Sequence, residues 1–460
     1  MNTSGSRGGG SVESARLSHF EVFGLFGEFH YSIPINLESR ITAIIAPNGS
    51  GKTICLRLIN ALFTRKWSFF SGVEFDRAEY TFTTGDRILV SKLVEPNDTP
   101  TSGGLAAGVS IALIPRSGER IVWNPAPDSK IRAQPLERYI GFLTRRGPNL
   151  FTHDYTEATY SFEEVIETFS ELLPEAIRNS LYGKEPQGIA ALTYTIDCHL
   201  IETQRLLLLR DETMPDTYRR GRPRSTLAIS AKAQTLVEVI RKELTAYAAL
   251  SQSLDRSFPK RVIGFGEKHL LPVENLKSQL DELDKKRGAL MLAGILDSEI
   301  DDPVTLPDGP LESAIARVLN VYASDTFKKL DALTMLLERI ELFVNLISER
   351  FSTKKIRVDK ENGFTIQGKQ YLVPLEKLSS GEQHQLVLFF ELLFELKENA
   401  LILIDEPELS LHVAWQKKFI ADLNRIIALN QLDVILATHS APLVSRWTDM
   451  VVELGKVDDE

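Results

Sequence analysis

Two cysteines in 460 residues, Cys55 and Cys198, supply neither a disulfide framework nor a cysteine metal cluster. That scarcity suits a chain made for a reducing compartment, and the expected location is the cytoplasm. Long apolar runs are missing as well. Nothing approaches the roughly 18–20 consecutive apolar residues that a membrane helix needs, and the most hydrophobic stretch, QLVLFFELLFELKE, is interrupted by Glu and Lys. The opening MNTSGSRGGGSVES has no hydrophobic centre, so no secretory signal is expected there, and residues 1–15 read as a flexible leader. A basic excess is also lacking: 53 Lys and Arg face 62 Asp and Glu, a formal net charge of −9. That balance argues against a surface coated with phosphate-binding groups. One basic run, Arg219-Arg220-Gly221-Arg222-Pro223-Arg224, goes the other way. With Tyr218 as its only aromatic neighbour, it reads either as a solvated loop or as a contact for nucleic acid or an acidic partner. There is no internal repeat.

A single glycine is missing from an otherwise complete pattern. The stretch IIAPNGSGKT, residues 44–53, has the form of a phosphate-binding loop, except that Ala46 stands where the opening Gly belongs. The chemistry needs a loop that bends until backbone N–H groups and the positive end of the next helix point at a phosphate. Asn48, Gly49, Ser50, Gly51, Lys52 and Thr53 form the candidate nucleotide-binding set. Gly49 and Gly51 supply the permissive dihedrals, Lys52 the reach to terminal phosphates, and the Thr53 hydroxyl a ligand for Mg2+. The preceding ITAIIA reads as a buried parallel strand, and the following ICLRLINALF has helical spacing.

Between the two ends of the chain the pattern changes several times. From about Glu74 to Trp123 hairpins are expected, with a turn at RSGER. A helical patch follows near Phe162–Asn179, and LTYTIDCHLIETQRLLLL reads as a strand leading to polar residues. From about Ser225 to Arg350 the spacing is helical, which predicts an insertion of two or three helices packed as a hairpin. Glu361-Asn362-Gly363 marks a hairpin turn. The last hundred residues alternate helix and strand, the pattern of a parallel α/β sheet. Three blocks follow from this reading: 16–224, the helical 225–350, and 351–460.

The C-terminal block carries the remaining chemistry. LILIDE is an apolar strand ending in Asp405 and Glu406, and adjacent buried carboxylates are costly unless a cation or a polarised water needs them. Asp405 is read as accepting from the hydration shell of Mg2+, and Glu406 as orienting the water that attacks a γ-phosphate. His439 ends the next strand, in VILATHS, where it could hydrogen-bond that phosphate. Upstream, Ser379, Ser380, Gly381 and Glu382 open a helix, either as a second anion-binding N-terminus or as a serine N-cap with a capping glutamate.

In this order the motifs resemble those of the ATP-binding-cassette (ABC) class of ATPases. APNGSGKT resembles its Walker A loop, with Ala46 the departure, LSSGE its signature, LILIDE its Walker B strand and His439 its switch histidine. ELSLH (Glu408 to His412) stands at the D-loop, and Gln204, in LIETQRLLLL, resembles the Q-loop glutamine that senses Mg2+. The resemblance implies an α/β ABC-type fold with a mixed or parallel central sheet, an antiparallel β subdomain and a helical insertion. It also implies ATP and Mg2+ as cofactors, Glu406 and His439 as catalytic residues, and Ser379–Glu382 acting in trans across a homodimer or higher oligomer.

DEPELSLHVAWQ, IETQRLL and LSSGEQHQL narrow the resemblance to bacterial ATPases related to the overcoming-lysogenization-defect nucleases, many of them anti-phage proteins. Those nucleases continue past the switch histidine into a Toprim domain, whereas this sequence ends at Glu460, so a separate effector, a Toprim nuclease by analogy, is expected. By size and motif form, the ATPase subunits of PARIS, the phage anti-restriction-induced system, are the nearest match, with Septu second. The implied function is an ATP-hydrolysing oligomeric sensor that holds an effector and releases it on meeting a viral trigger protein. That trigger would be acidic and DNA-mimicking if the Arg219–Arg224 run receives it. The alternatives are a DNA-repair ATPase that clamps DNA on binding ATP, like RecF or Rad50, and a transporter's nucleotide-binding subunit.

Overall fold

The computed structural model describes residues 15–93, 108–125, 135–154, 158–169, 172–202, 207–208, 226–266, 270–297, 306, 311–351, 353–410 and 413–455. Its centre is a five-stranded sheet in the order Cys198–Ile201, Leu401–Asp405, Asp433–Thr438, Ile41–Ile45, Val451–Glu453. Every pairing in it is parallel. Strands buried on both faces should be continuously apolar, and LILID and DVILAT are buried at every position. Alternate residues serve opposite cores. Leu401, Leu403, Ile435 and Ala437 join one apolar cluster, while Ile402, Ile404, Val434 and Leu436 join the other.

The first core lies beneath a six-stranded antiparallel sheet, ordered Phe29–Pro34, Leu17–Leu25, Arg77–Phe82, Arg87–Lys92, Val109–Ile114, Ile121–Trp123. The helix Lys52–Phe63 fills the space with Cys55, Leu56, Leu58, Ile59 and Leu62, all fully buried. Arg16 fastens the two sheets by donating to both carboxylate oxygens of Asp433, at 2.7 and 2.5 Å. The expected hairpins are therefore present, and so is the α/β class with its parallel sheet, antiparallel subdomain and helical region.

The second core is covered by helices. Ala228–Gly264, Val273–Leu292, Ser313–Asp331 and Thr334–Ser348 are four helices where two or three were expected, and LESAIARVLNVYASDTF…LISERF breaks in two at Ala332–Leu333. Neither end of the 225–350 segment stands apart from the sheet's core. Ile229, Leu236 and Ile240 at one end, and Ile340, Phe343 and Leu346 at the other, belong to the cluster that includes Ile402 and Leu436. The hairpin at Gly363 packs onto the same long helix: with φ 73°, a Cβ there would lie 1.9 Å from the Ala233 carbonyl oxygen, so only glycine fits.

A second expectation fails at LTYTIDCHLI. Only Cys198–Ile201 is strand; Gln187–Thr195 is a helix, started at Pro186 and burying Ile189 and Thr193. The β-favouring Thr-Tyr-Thr at its end is outweighed by packing of the helix's inner face.

Arg350 and Asp422 form an ion pair with side chains only 3% and 4% exposed, tying the helix that ends at Ser348 to the crossover helix Val413–Asn430. Asp422→Ala leaves an uncompensated buried guanidinium and is expected to lower the unfolding free energy by about 3–5 kcal/mol. Urea denaturation of the two chains measures it, and equal midpoints would show that the pair contributes nothing.

Candidate functional site

All the sequence-predicted groups that meet do so at the C-terminal edge of the parallel sheet, where ligands of open α/β sheets gather. Ile41–Ile45 delivers the loop, and Gly51 caps the following helix with a left-handed φ of 87°. A Cβ on Gly51 would lie 2.9 Å from Leu25 and 3.1 Å from Phe26, so this turn needs glycine twice over. Asn48 and Gly49 are exposed at the crown, while Ser50 and Lys52 are buried. Ala46 is buried in the apolar cluster, which accounts for a methyl group being tolerated where a glycine is usual. Tyr31 donates to the Ser50 carbonyl at 2.8 Å, and burial pushes its phenol up to about 12, so it remains a donor.

Lys52 is the hub. Its ammonium donates to the carbonyls of Ala46 (2.8 Å) and Pro47 (3.0 Å) and reaches Nδ1 of His439 at 3.2 Å. An ammonium has donors only, so Nδ1 accepts and the ring proton sits on Nε2. Nε2 lies 3.0 Å from Oε1 of Glu406, which accepts it. Lys52, His439 and Glu406 thus form one directed hydrogen-bond chain. Burial lowers the Lys52 pKa, and the carboxylates of Glu406, Asp405 and Glu408 push it back up.

Beside that chain, the Thr53 hydroxyl lies 3.1 and 3.0 Å from the two oxygens of Asp405. Burial raises the Asp405 pKa and the Glu406 charge adds to it, against the lowering effect of the Thr53 hydrogen bond. A buried carboxylate next to a hydroxyl is the hard oxygen set that suits Mg2+, an ion that takes most of its other ligands from water and phosphate. No cluster of three or more His, Cys, Asp or Glu able to hold a metal occurs among the described residues.

Glu406 is aimed by its backbone. Its φ is 45°, left-handed for a residue that is neither glycine nor asparagine and that precedes Pro407. Such a conformation costs about 1–3 kcal/mol and persists only where the surroundings hold it. The holding contacts are the Glu406 N–H on the Ala437 carbonyl at 2.9 Å and the His439 N–H on Oε1 of Glu408 at 2.6 Å. Neither the bend nor the Glu408 contact was foreseeable from residue type, and Tyr31 carried no signal either.

The serine group is placed elsewhere. Ser379 is the N-cap of Ser380–Phe390 in a full capping box with Glu382, and Glu382 also binds Lys354 at 2.7 Å. Ser379 and Ser380 are exposed. The capping reading is therefore met, and the two serines lie on an exposed face of the helix start. Gln204, His412 and the Arg219–Arg224 run lie outside the described residues. Of the two aromatics near the loop, Phe23 is sandwiched between His30 (3.8 Å) and Arg77 (3.7 Å), whereas Phe26 is 41% exposed beside Gly51.

A family model described as "AAA domain, putative AbiEii toxin, Type IV TA system" matches residues 215–446, just over half of the chain. The match takes in the serine group, Asp405, Glu406 and His439 but not the loop at 46–53. No curated protein matches the chain. Among solved structures, the Smc head domain with an extended coiled coil bound to the C-terminal domain of ScpA, from Pyrococcus furiosus, is 11% identical with a TM-score of 0.32, covering 96% of this chain and 94% of that one. The SMC head domain from Thermotoga maritima is 12% identical with a TM-score of 0.31, covering 94% and 91%. Both likenesses are remote.

The raised Asp405 pKa has a measurable consequence. The folded chain binds that proton more tightly than the unfolded one, so stability falls as pH rises from the unfolded value, roughly 3.9, through the higher folded value. At neutral pH the ionised Asp405 is therefore a net cost. Asp405→Asn keeps an acceptor for Thr53 and is expected to raise the melting temperature at pH 7 by a few degrees, with the difference vanishing near pH 4. A lower melting temperature at pH 7 would show that the carboxylate stabilises the fold.

Proposed function

The chain belongs to this AAA-domain family, and from that premise we propose that it is a Mg2+-dependent ATPase whose turnover times the joining of two copies within an anti-phage system. The observation that carries the reading is the convergence of Lys52, Thr53, Asp405, Glu406 and His439, contributed by three parallel strand ends, on one point.

Each group has a role that its surroundings support. Phosphate oxygens would take the Lys52 donors now spent on Ala46 and Pro47, and would relieve an ammonium that burial disfavours. Thr53 and Asp405 would hold the magnesium ion, which when bound neutralises phosphate charge. Glu406 is the general base: its left-handed backbone turns the carboxylate toward His439, and one oxygen remains to orient a water. His439 bridges Glu406 to Lys52 and so senses whether the phosphate end is occupied. Phe26 is the candidate for stacking on adenine, since its ring is exposed at the loop while Phe23 is covered on both faces.

Completion of the site in trans rests on the exposed Ser379-Ser380-Gly381 turn at a helix N-terminus, a ready donor surface for a γ-phosphate held by a second copy. ATP then lies in the interface, and at ~100 times its dissociation constant it favours the joined state by about 2.7 kcal/mol per site. Hydrolysis by Glu406 ends that state. The family description speaks of a toxin and a type IV TA system. For this chain the finer reading is a PARIS-type sensor that restrains a separate Toprim nuclease until a viral protein is met.

Glu406→Gln is expected to lower kcat by about 100-fold or more while ATP accumulates the joined species on light scattering. Wild-type turnover in Glu406→Gln would remove Glu406 from the chemistry. Co-purification of that variant with the product of the adjacent gene tests the defence reading, which fails if no effector co-elutes with or without ATP.

A further inference from the structure

One carboxylate at the site has no part in the chemistry above. Glu408 lies two residues beyond the proposed base, in the 3-10 turn Pro407–Ser410. Its Oε1 accepts the main-chain N–H of His439 at 2.6 Å, the short distance of a charge-assisted bond. Its Oε2 is buried with no hydrogen-bond partner among the described residues. Burying a carboxylate oxygen without a donor is costly, so a residue kept there for solubility or general polarity is a poor explanation. A second bridge runs between the same two loops. Gln416 donates to the Glu408 carbonyl at 3.4 Å and accepts from the Ser440 hydroxyl at 2.7 Å. The turn also packs against the serine helix Ser380–Phe390, and its next side chain, Leu409, points outward, 68% exposed.

We propose that Glu408 is a positioning residue for His439, fixing the histidine ring between Lys52 and Glu406. The reasoning is geometric. Glu406 is strained and His439 is an exposed residue with its side chain 30% accessible, so the 3.0 and 3.2 Å contacts of the ring depend on where the main chain at 439 is held. Among the described residues, the Glu408 acceptor is the tie that grips the main chain of residue 439 itself: the Glu406 N–H is bound to Ala437, two residues earlier, and the Gln416 bridge ends on the Ser440 side chain. A displacement of about 1 Å at a reacting group is enough to cost roughly 100-fold in rate.

The inference rests on the ATPase reading, so two readouts are needed. In the full chain, Glu408→Ala is expected to lower kcat about 10-fold to 100-fold while affinity for a non-hydrolysable ATP analogue stays within about 2-fold. Glu408→Gln retains a carbonyl acceptor for the His439 N–H and is expected to recover most of kcat. Wild-type kcat in Glu408→Ala, or a glutamine variant as slow as the alanine one, would overturn the positioning role. The second readout needs no turnover: the rate of His439 modification by diethyl pyrocarbonate, followed by peptide mass spectrometry. It is expected to rise several-fold in Glu408→Ala and to stay at the wild-type level in Glu408→Gln. Equal rates in all three chains overturn the inference even where ATP is hydrolysed. A rate difference in a chain that hydrolyses nothing supports the positioning role and strikes the ATPase reading alone.

Discussion

Everything at the site is arranged around one buried ammonium. Lys52 is 5% exposed and spends its donors on two loop carbonyls and a histidine nitrogen, with three carboxylates close enough to raise its pKa against the effect of burial. A single buried cation facing Asp405, Glu406 and Glu408 leaves the local charge negative. The exposed Arg57 offsets part of that charge, yet burial still raises the Asp405 pKa. A ligand that brings its own divalent cation would restore the balance, and one that brings phosphate would draw the lysine's donors from neutral carbonyls to charged oxygens. The site is electrostatically expensive as it stands, which is the usual signature of a place built for binding rather than for stability.

The parallel sheet is what makes that arrangement possible. Thr53 and Asp405 are 352 residues apart in the chain, and Lys52 and His439 are 387 apart. They meet because Asp433–Thr438 lies between the loop strand and the two-acid strand in strict register, Ala437 pairing with Ile44 on one side and Asp405 on the other. Each chemical group therefore leaves the sheet at the same height. The apolar alternation of these strands feeds two cores at once, so moving any one of them would disturb both. Rigidity of this kind is what a left-handed Glu406 needs in order to persist.

Much of this was legible in the residues. The loop, the acid pair and the histidine are local patterns whose chemistry dictates their spacing, and the alternation of apolar strand with amphipathic helix announces the α/β class. Two kinds of feature were hidden. One is packing that outweighs propensity: Leu192-Thr193-Tyr194-Thr195 reads as strand but is helix, because Ile189 and Thr193 turn inward together. The ends of the 225–350 segment likewise look detachable and yet carry core residues such as Ile240 and Phe343. The other is backbone geometry. Nothing in Asp-Glu-Pro-Glu foretells that the first glutamate bends to φ 45° or that the second reaches the histidine's N–H. Those facts belong to the meeting of two loops.

On the proposed reading, this constellation is one half of an ATP site completed by a second copy. Mixing two inactive chains tests it most directly. Lys52→Ala removes the phosphate contact and Ser380→Arg blocks the exposed serine turn, each abolishing turnover alone. In an equal mixture about half of the dimers contain one of each, and each of those retains one intact site, so activity should return to about a quarter of the wild-type rate. A mixture that stays as inactive as its components, while still forming dimers, would contradict the two-chain site and leave Lys52, Asp405 and Glu406 acting within a single protomer.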